Sequence, residues 1–149
     1  MNVTLTKIAR HNFDDVIELE LETFQEKNLP SNVYSIAESV LSETFHPRAI
    51  CLDGKAVGFL MYQFGEIGDF DEGECTIWRF MIDRRQQNKG IGKLAMGLAL
   101  EEIKAHNRCD LVDIYYDAEN TAAKNLYAKF GFQEVGRRDD GDIIAERNI

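Results

Sequence analysis

The apolar positions of this chain form short runs with two different periods. A period of two residues predicts strands, and a period near 3.6 residues predicts helices. Strands are expected at residues 3–8, 49–52, 56–64, 74–82, 111–116, 132–135 and 142–145. Helices are expected from Asn12 to a break at residues 28–32, and at residues 35–45, 90–106 and 120–130. This mixture predicts an α+β (mixed α/β) fold with about four helices.

Turn residues and caps mark the ends of several of these elements. Asn12 is a candidate N-cap for the first helix. The Asp-Gly pairs at residues 53–54 and 140–141, each between apolar runs, predict two tight hairpin turns. Pro47 should end the second helix, because proline cannot continue one. Gly131 should end the last helix in a left-handed conformation.

Each predicted helix should bury one apolar face. In the first helix that face comprises Phe13, Val16, Ile17, Leu21 and Phe24. In the second helix it comprises Ile36, Val40, Leu41 and Phe45. In the third helix it comprises Ile91, Leu94, Ala95, Leu98, Ala99 and Ile103. In the fourth helix it comprises Ala123, Leu126, Tyr127 and Phe130.

Residues 78–92 contain the most informative pattern in the chain. An apolar run is followed by a basic loop, and Gly90 and Gly92 then begin a long helical pattern. A glycine-rich turn at a helix N-terminus presents unpaired N–H groups at the positive end of the helix dipole, and this favours phosphate. Four cations add to that field, namely Arg84, Arg85, Lys89 and Lys93. The alternative is an ordinary strand–turn–helix connection with solvated lysines.

Composition and length indicate one globular domain, residues 1–149, large enough to bury a single core. The apolar runs are too short to span a membrane, and the N-terminus lacks an apolar signal core. We therefore expect a cytoplasmic protein without membrane association. The cysteines, Cys51, Cys75 and Cys109, are odd in number and widely spaced, which argues against a disulfide framework and a zinc site. We expect no metal cofactor.

The acidic residues are concentrated in the first half of the chain. The net charge is −9. Residues 1–75 contain 14 acidic and 5 basic side chains, whereas residues 76–149 contain 12 of each. This charge argues against nucleic acid as a partner and is compatible with a cationic small molecule. The alternative is that the acidity only maintains solubility.

Two known phosphate-binding motifs do not fit the glycine loop. A P-loop needs a serine or threonine at residue 94, which is a leucine, and a glycine at residue 87, which is a glutamine. Residues 90–95 match the dinucleotide fingerprint G-x-G-x-x-A. However, that fingerprint follows its strand almost at once and begins a βαβ repeat, whereas here residues 83–89 intervene and a hairpin comes first.

Two signatures resemble those of the GNAT superfamily of N-acetyltransferases. The first, Q/R-x-x-G-x-G/A after a strand, is matched by residues 87–92. The second, N-x-x-A-x-x-L-Y-x-K-x-G-F, is matched by residues 120–132. With these motifs in the family's order, the chain resembles the superfamily over nearly its whole length. Asn88 departs from the pattern, since many members have glycine at this position.

The resemblance implies a fold and a co-substrate. The fold is a twisted, mostly antiparallel sheet of about six or seven strands with a splayed parallel pair, flanked by about four helices. The co-substrate is acetyl-CoA, and no metal is implied. Its pantetheine arm would pair with the backbone of Phe80, Met81 and Ile82. The other implied contacts are Gln87, Asn88, Lys89, Gly90, Ile91, Gly92, Lys93, Asn120 and Lys129.

The implied reaction is direct attack of a primary amine on the acetyl thioester in a ternary complex. The resemblance places Tyr127 near the sulfur, where it could act as the acid; a core aromatic is the alternative. An alkylammonium has a pKa near 10.4, so only about one molecule in two thousand is neutral at pH 7. A base or a water relay must remove the proton. The candidate bases are Glu66, Asp71, Glu72 and Glu74.

Within the superfamily, the chain most resembles bacterial polyamine (spermine/spermidine, diamine) acetyltransferases, at residues 30–39, 54–62 and 78–83. These stretches are less specific than the cofactor motifs. The acids that could hold an acceptor's ammonium groups include Glu20, Glu22, Glu38 and Glu66. Two alternatives remain: another amine acceptor, such as an aminoglycoside, an amino acid or a protein N-terminus, or a non-catalytic acyl-CoA-binding module. The family suggests a homodimer.

Overall fold

A computed structural model describes residues 1–22 and 30–149, which form one seven-stranded sheet with helices on both faces. The strands are β1 (Val3–Lys7), β2 (Phe45–Leu52), β3 (Lys55–Phe64), β4 (Glu74–Ile82), β5 (Leu111–Tyr116), β6 (Gln133–Arg137) and β7 (Ile143–Asn148). The α-helices of these residues are α1 (Arg10–Ile17), α2 (Asn32–Glu38), α3 (Ile91–His106) and α4 (Thr121–Lys129). None of them is long and apolar enough to span a membrane.

The strands lie in the order β1-β2-β3-β4-β5-β7-β6. Every neighbouring pair is antiparallel except β4 and β5, which are parallel. A parallel pair needs a crossover connection, and α3 provides it between β4 and β5. The predicted α+β fold, with a mostly antiparallel sheet and one parallel pair, is confirmed.

Two hydrophobic clusters pack on opposite faces of the sheet. On β3, Leu60 and Tyr62 belong to the larger cluster, which also contains residues of α3 and α4. Phe59 and Met61 alternate with them and belong to the smaller cluster, which contains Val16 of α1. Because neighbouring side chains of a strand point to opposite faces, α3 and α4 cover one face of the sheet. Helices α1 and α2 lie on the other, here called the α1/α2 face.

Several predicted boundaries and turns are confirmed. Strands β4 and β5 occupy the predicted residues 74–82 and 111–116. The turn at residues 53–54 joins β2 to β3, and both of its residues have positive φ, 51° and 86°. Gly131 follows the end of α4 with φ 84°, as expected for a left-handed helix stop.

The predicted second helix, residues 35–45, is wrong in its position. Helix α2 ends at Glu38, a 3₁₀ turn follows, and β2 begins at Phe45 and includes Pro47. The pairing of β1 with β2 ends at Arg48, so β2 is an edge strand at Pro47, and proline is tolerated there. Val40 and Leu41, predicted to be buried, are 83% and 80% exposed.

The first helix also differs from the prediction. It begins after Ala9, so Asn12 lies within α1 and is not the N-cap. The Asn12 Oδ1 nevertheless accepts a hydrogen bond from the Ala9 N–H at 2.8 Å, which satisfies the start of the helix. The helix ends at Ile17, so Leu21 lies beyond it, and Phe24 lies outside the described residues. Phe13 is partly exposed.

One position of the third helix was also predicted wrongly. Leu94 is 44% exposed, while Met96 and Leu100 are buried in its place. The apolar stripe of α3 is wide enough for two interpretations of its inner face. Packing under the sheet selects the one that includes Met96, which belongs to the larger hydrophobic cluster.

The feature that positions the functional site is the separation of β4 from β5. The two strands pair only over residues 74–77 and 111–114. Beyond that point β4 continues along β3, whereas β5 continues along β7. The pairing of β4 with β3 is irregular where β4 leaves β5. Tyr62 lies opposite Ile77, and its neighbour Met61 lies opposite Arg79, so Trp78 is an extra residue that forms a bulge in β4. A gap therefore opens between the last residues of β4 and β5.

Asp83, directly after β4, attaches the segment that follows α1 to the end of this strand. Its carboxylate is 3% exposed and accepts hydrogen bonds from the Glu20 N–H at 2.9 Å and from the Arg85 Nε at 2.9 Å. Arg84 adds an ion pair of 2.9 Å to the Glu20 carboxylate. Burial alone would raise the pKa of Asp83, but the hydrogen bonds from Arg85 and Glu20 hold it below its usual value.

We predict that Asp83→Asn lowers the free energy of unfolding by about 1–3 kcal/mol at pH 7, because buried donors lose a charged acceptor. Exposed Asp139→Asn is the control, with an expected change within about 0.5 kcal/mol. The folded-state pKa of Asp83 is depressed, so its contribution is complete above about pH 4 and is lost as pH falls. In urea unfolding, the difference in the free energy of unfolding between wild type and Asp83→Asn should therefore become smaller at acidic pH. A difference that does not change with pH would contradict the role assigned to Asp83.

Candidate active site

The gap between β4 and β5 opens into a cleft of about 220 Å³. Strand β4 forms one wall, α4 forms the other, and the loop and first residues of α3 close one end. The lining residues are Leu21, Phe80, Met81, Ile82, Gln86, Gln87, Asn88, Gly90, Ile91, Gly92, Asn120, Ala122, Ala123, Leu126 and Tyr127. The cleft thus joins a free strand edge to a helix N-terminus.

The loop that enters α3 depends on two residues with left-handed backbone. Gly90 is the N-cap with φ 82°, and Asn88 has φ 62°. Asparagine tolerates this region better than most side chains, so the loop can form with Asn88 in place of the glycine that the family resemblance leads one to expect. The Gln87 side chain donates to the Ile82 carbonyl at 3.0 Å and fixes the loop against β4.

Gly92 leaves space where the loop meets the cleft. A Cβ at this position would lie 3.8 Å from Phe80 and 3.9 Å from Ile82 and Leu126, at ordinary contact distances. Because all three side chains line the cleft, a methyl group there would project into it. The first N–H groups of α3 have no partner within the helix and carry the positive end of its dipole. This end of the cleft therefore suits a phosphate group.

Helix α4 supplies a polar cap and a buried phenol to the opposite wall. The Asn120 Oδ1 accepts a hydrogen bond from the Ala123 N–H at 3.0 Å and caps the helix. Tyr127 is 6% exposed and packs against the rings of Tyr116 and Phe132, with centroids 5.3 and 6.0 Å away. Burial, with a smaller effect of Tyr116, raises the pKa of Tyr127. Its hydroxyl is therefore protonated near neutral pH and available as a donor.

Most of the residues predicted to contact the cofactor come together at this cleft. Nine line it, namely Phe80, Met81, Ile82, Gln87, Asn88, Gly90, Ile91, Gly92 and Asn120. Lys89, Lys93 and Lys129 do not line it, and the Lys89 ammonium donates to Gln86 at 3.1 Å.

The prediction missed five lining residues, namely Leu21, Gln86, Ala122, Ala123 and Leu126. Ala123 and Leu126 are fixed letters of the second signature, so that motif contained a signal for them. Leu21 reaches the cleft because Asp83 holds the preceding residue, Glu20. No local pattern predicts that contact.

The predicted acids lie away from the lining of this cleft, and several have structural partners. Glu20 pairs with Arg84. The Glu66 carboxylate accepts a hydrogen bond from the Ser42 hydroxyl at 2.7 Å, and Glu72 accepts one from the Gly68 N–H at 2.8 Å. Glu22 and Glu38 are half-buried. Glu74 begins β4, and burial raises its pKa, as do the nearby carboxylates of Asp113, Glu146 and Asp71.

Within residues 1–22 and 30–149, no group of three or more histidine, cysteine, aspartate or glutamate side chains could hold a metal ion. The cleft offers a free strand edge, a helix N-terminus and a buried phenol. These features are the ones that the GNAT resemblance led us to expect around a coenzyme.

Comparisons with known proteins agree with this fold, which is that of GNAT acetyltransferases. The model of the acetyltransferase (GNAT) family matches residues 13–132. The chain belongs to this family. The predicted family and the predicted class of enzyme are both confirmed.

The chain is 26% identical to the spermine/spermidine N(1)-acetyltransferase of Bacillus subtilis (strain 168), with 100% of both chains covered. It also shares its fold with an N-acetyltransferase, PaiA, of Thermoplasma acidophilum solved with coenzyme A, at 17% identity, TM-score 0.75 and full coverage of both chains. An aminoglycoside acetyltransferase with coenzyme A is similar at 19% identity and TM-score 0.78, covering 99% of this chain and 95% of that one.

Proposed function

We propose that this enzyme transfers the acetyl group of acetyl-CoA to a primary amine of a polyamine. The observation that carries the proposal is the opening of β4 from β5 directly before the N-terminus of α3. Among the described residues, no strand lies beside residues 80–82 on the cleft side. Their backbone can pair with the amides of a pantetheine arm, although the Ile82 carbonyl already accepts a hydrogen bond from the Gln87 side chain. The N–H groups around Gly90 then face the pyrophosphate.

Acetyl-CoA supplies a thioester, and the residues of the cleft position it and provide a proton. With the pyrophosphate at α3 and the arm along β4, the sulfur would lie toward Tyr127 on the opposite wall. Tyr127 would then donate its hydroxyl proton to the sulfur as the thioester bond is cleaved. Its raised pKa means that the hydroxyl is protonated in the resting enzyme. Proton donation of this kind typically contributes a factor of about 10²–10⁴ in rate.

The amine must lose a proton before it attacks. Of the candidate bases, Glu74 is the one on the strand that lines the cleft, and its raised pKa brings it nearer to the working pH than an exposed carboxylate. Glu72 is held by the Gly68 N–H within its own loop, and Glu66 by Ser42. Neither Glu74 nor Glu72 lines the cleft, so both remain candidate bases that would act through a relay of water molecules.

A polyamine acceptor is supported by two independent observations. The Bacillus relative that matches over its whole length is named for spermine and spermidine. In addition, the acidic excess of the chain is confined to residues 1–75, which include Glu22 and, on α2, Glu38. Glu20 and Glu66 remain candidates for ammonium binding, although each would have to leave its present partner. The aminoglycoside acetyltransferase has the same fold, so aminoglycosides are the acceptor to compare.

The acceptor class is tested by thiol release from acetyl-CoA with a panel of amines. We expect the highest kcat/KM for spermidine, spermine and 1,4-diaminobutane, and lower values for kanamycin, free amino acids and peptide N-termini. Turnover of kanamycin or amino acids with none of the three polyamines would refute the polyamine assignment. It would leave the acetyltransferase class intact.

Gly92→Ala should weaken coenzyme A binding about tenfold, or about 1.4 kcal/mol, because its methyl group enters the cleft. Gly97→Ala is the matched control, since it lies on the same helix and its Cβ would meet Phe130 at 3.8 Å, away from the cleft. Calorimetric titration with coenzyme A should give wild-type affinity for the control. Equal affinities for both variants would show that the coenzyme does not approach Gly92.

Tyr127→Phe should lower kcat by a factor of about 10²–10⁴ while the affinity for coenzyme A stays within about twofold of wild type. Exposed Tyr34→Phe, on α2, controls for loss of a phenol and should leave both quantities unchanged. Steady-state kinetics and calorimetry provide the two measurements. A Tyr127→Phe enzyme with wild-type kcat would remove Tyr127 from the mechanism.

A further inference from the structure

Three acidic residues lie side by side on the α1/α2 face of the sheet, namely Glu74 on β4, Asp113 on β5 and Glu146 on β7. The neighbours of Asp113 along β5 belong to the hydrophobic cluster under α3 and α4, so Asp113 faces the other way. The strand register places Asp113 directly opposite Glu146 and opposite Thr76, which is two residues from Glu74 on the same face. We call these three residues the carboxylate cluster.

Asp113 is the buried member of the carboxylate cluster, with 8% of its surface exposed. Its Oδ2 accepts a hydrogen bond from the Tyr115 hydroxyl at 3.3 Å. Its Oδ1 is also buried and, among the described residues, makes no hydrogen bond of normal distance and angle, although the Thr76 hydroxyl on β4 is close enough to the carboxylate to lower its pKa. Leaving a buried carboxylate oxygen unpaired is costly, and such exceptions in folded proteins call for an explanation.

The carboxylate cluster has no ion-pair partner within the described residues, and the Arg138 guanidinium nearby lies over the Tyr115 ring at 4.5 Å. Burial raises the pKa of Asp113, and like charges directly opposite on neighbouring strands destabilise a sheet. The described residues offer no metal site. An ammonium group supplies both the missing charge and N–H donors for the unpaired oxygen.

The carboxylate cluster lies next to the opening where acetyl transfer would take place. The β4–β5 pairing ends one residue after Asp113, at Ile114. Tyr115 is two residues, or about 6–7 Å, further along β5, comparable with the separation of the two nitrogens in a short diamine. Its ring lies 5.5 Å from that of Trp78, the bulged residue of β4, which is 40% exposed. Because Arg138 lies over the Tyr115 ring, the exposed Trp78 ring is the one that offers an apolar surface for a methylene chain between the cluster and the opening.

We propose that Asp113, flanked by Glu74 and Glu146, binds the distal ammonium group of a diamine or polyamine while the other amino group reaches the acetyl donor. This inference rests on the proposed function and adds the site of acceptor recognition to it. It requires the enzyme to prefer a diamine to a monoamine of equal length, since only the diamine places a second ammonium at the carboxylate cluster.

The test compares 1,4-diaminobutane with butylamine, bound to the coenzyme A complex and measured by calorimetry, with KM values for both. Asp113→Asn should weaken diaminobutane binding and raise its KM at least about tenfold, while butylamine changes less than about twofold. Glu146→Gln should show a smaller shift of the same kind. Exposed Asp139→Asn and Glu101→Gln remove the same charge elsewhere and should leave both amines unaffected.

Thermal unfolding separates recognition from folding. Asp113→Asn relieves charge repulsion and keeps an acceptor for Tyr115, so its midpoint should equal or exceed that of wild type. The proposal would be overturned if Asp113→Asn and Glu146→Gln kept the wild-type preference for diaminobutane over butylamine. It would also be overturned if they lost affinity equally for both amines. Failure of the proposed function would give a different result, because the wild-type enzyme would release no thiol with any amine. The binding measurement with diaminobutane would still show whether the carboxylate cluster binds an ammonium group.

Discussion

The structure depends on a parallel strand pair that stops early. β4 and β5 are bonded for four residues and then separate, so the edge of β4 that faces the cleft is left without a neighbouring strand. Free backbone groups on a strand edge need a partner, and in most proteins such edges are covered or blocked. Here the free edge of β4 leads to the N-terminus of α3. A ligand with amides at one end and phosphates at the other can therefore pair with the backbone of the strand edge and with the N–H groups of the helix.

The rest of the fold holds this gap open. The Trp78 bulge falls at the last bonded pair of β4 and β5, where a change in twist directs the end of β4 away from β5. Asp83 attaches the segment after α1 to the end of β4 and thereby brings Leu21 to the cleft. On the other wall, α4 is held by its Asn120 cap and by the packing of Tyr127 between aromatic rings.

The sequence predicted the elements around the gap well, because their signals are local. Strands β4 and β5 are dense in β-branched and aromatic residues, and two glycines mark the start of α3. The sequence-based predictions failed where a long-range contact determines whether a segment is a helix or a strand. The apolar residues at 36, 40, 41 and 45 suit a helix, but pairing with β3 makes Phe45 the start of a strand.

Asp113 and Glu146 were missed as candidate site residues for the same reason. Nothing local shows that β7 lies between β5 and β6, and this order is what puts Glu146 opposite Asp113. The excess acidity of residues 1–75 indicated a cationic acceptor and pointed to acids of that half, whereas the proposed carboxylate cluster takes Asp113 and Glu146 from the other half. A single aspartate within an otherwise apolar strand was the available signal.

The most direct measurement of the central claim is a crystal structure of the protein with coenzyme A. The account predicts the pyrophosphate within hydrogen-bond distance of the N–H groups of residues 90–92. It also predicts the pantetheine arm along residues 80–82, with its sulfur near Tyr127. Coenzyme A bound at another surface, or with its arm away from β4, would contradict the role assigned to the separated strands.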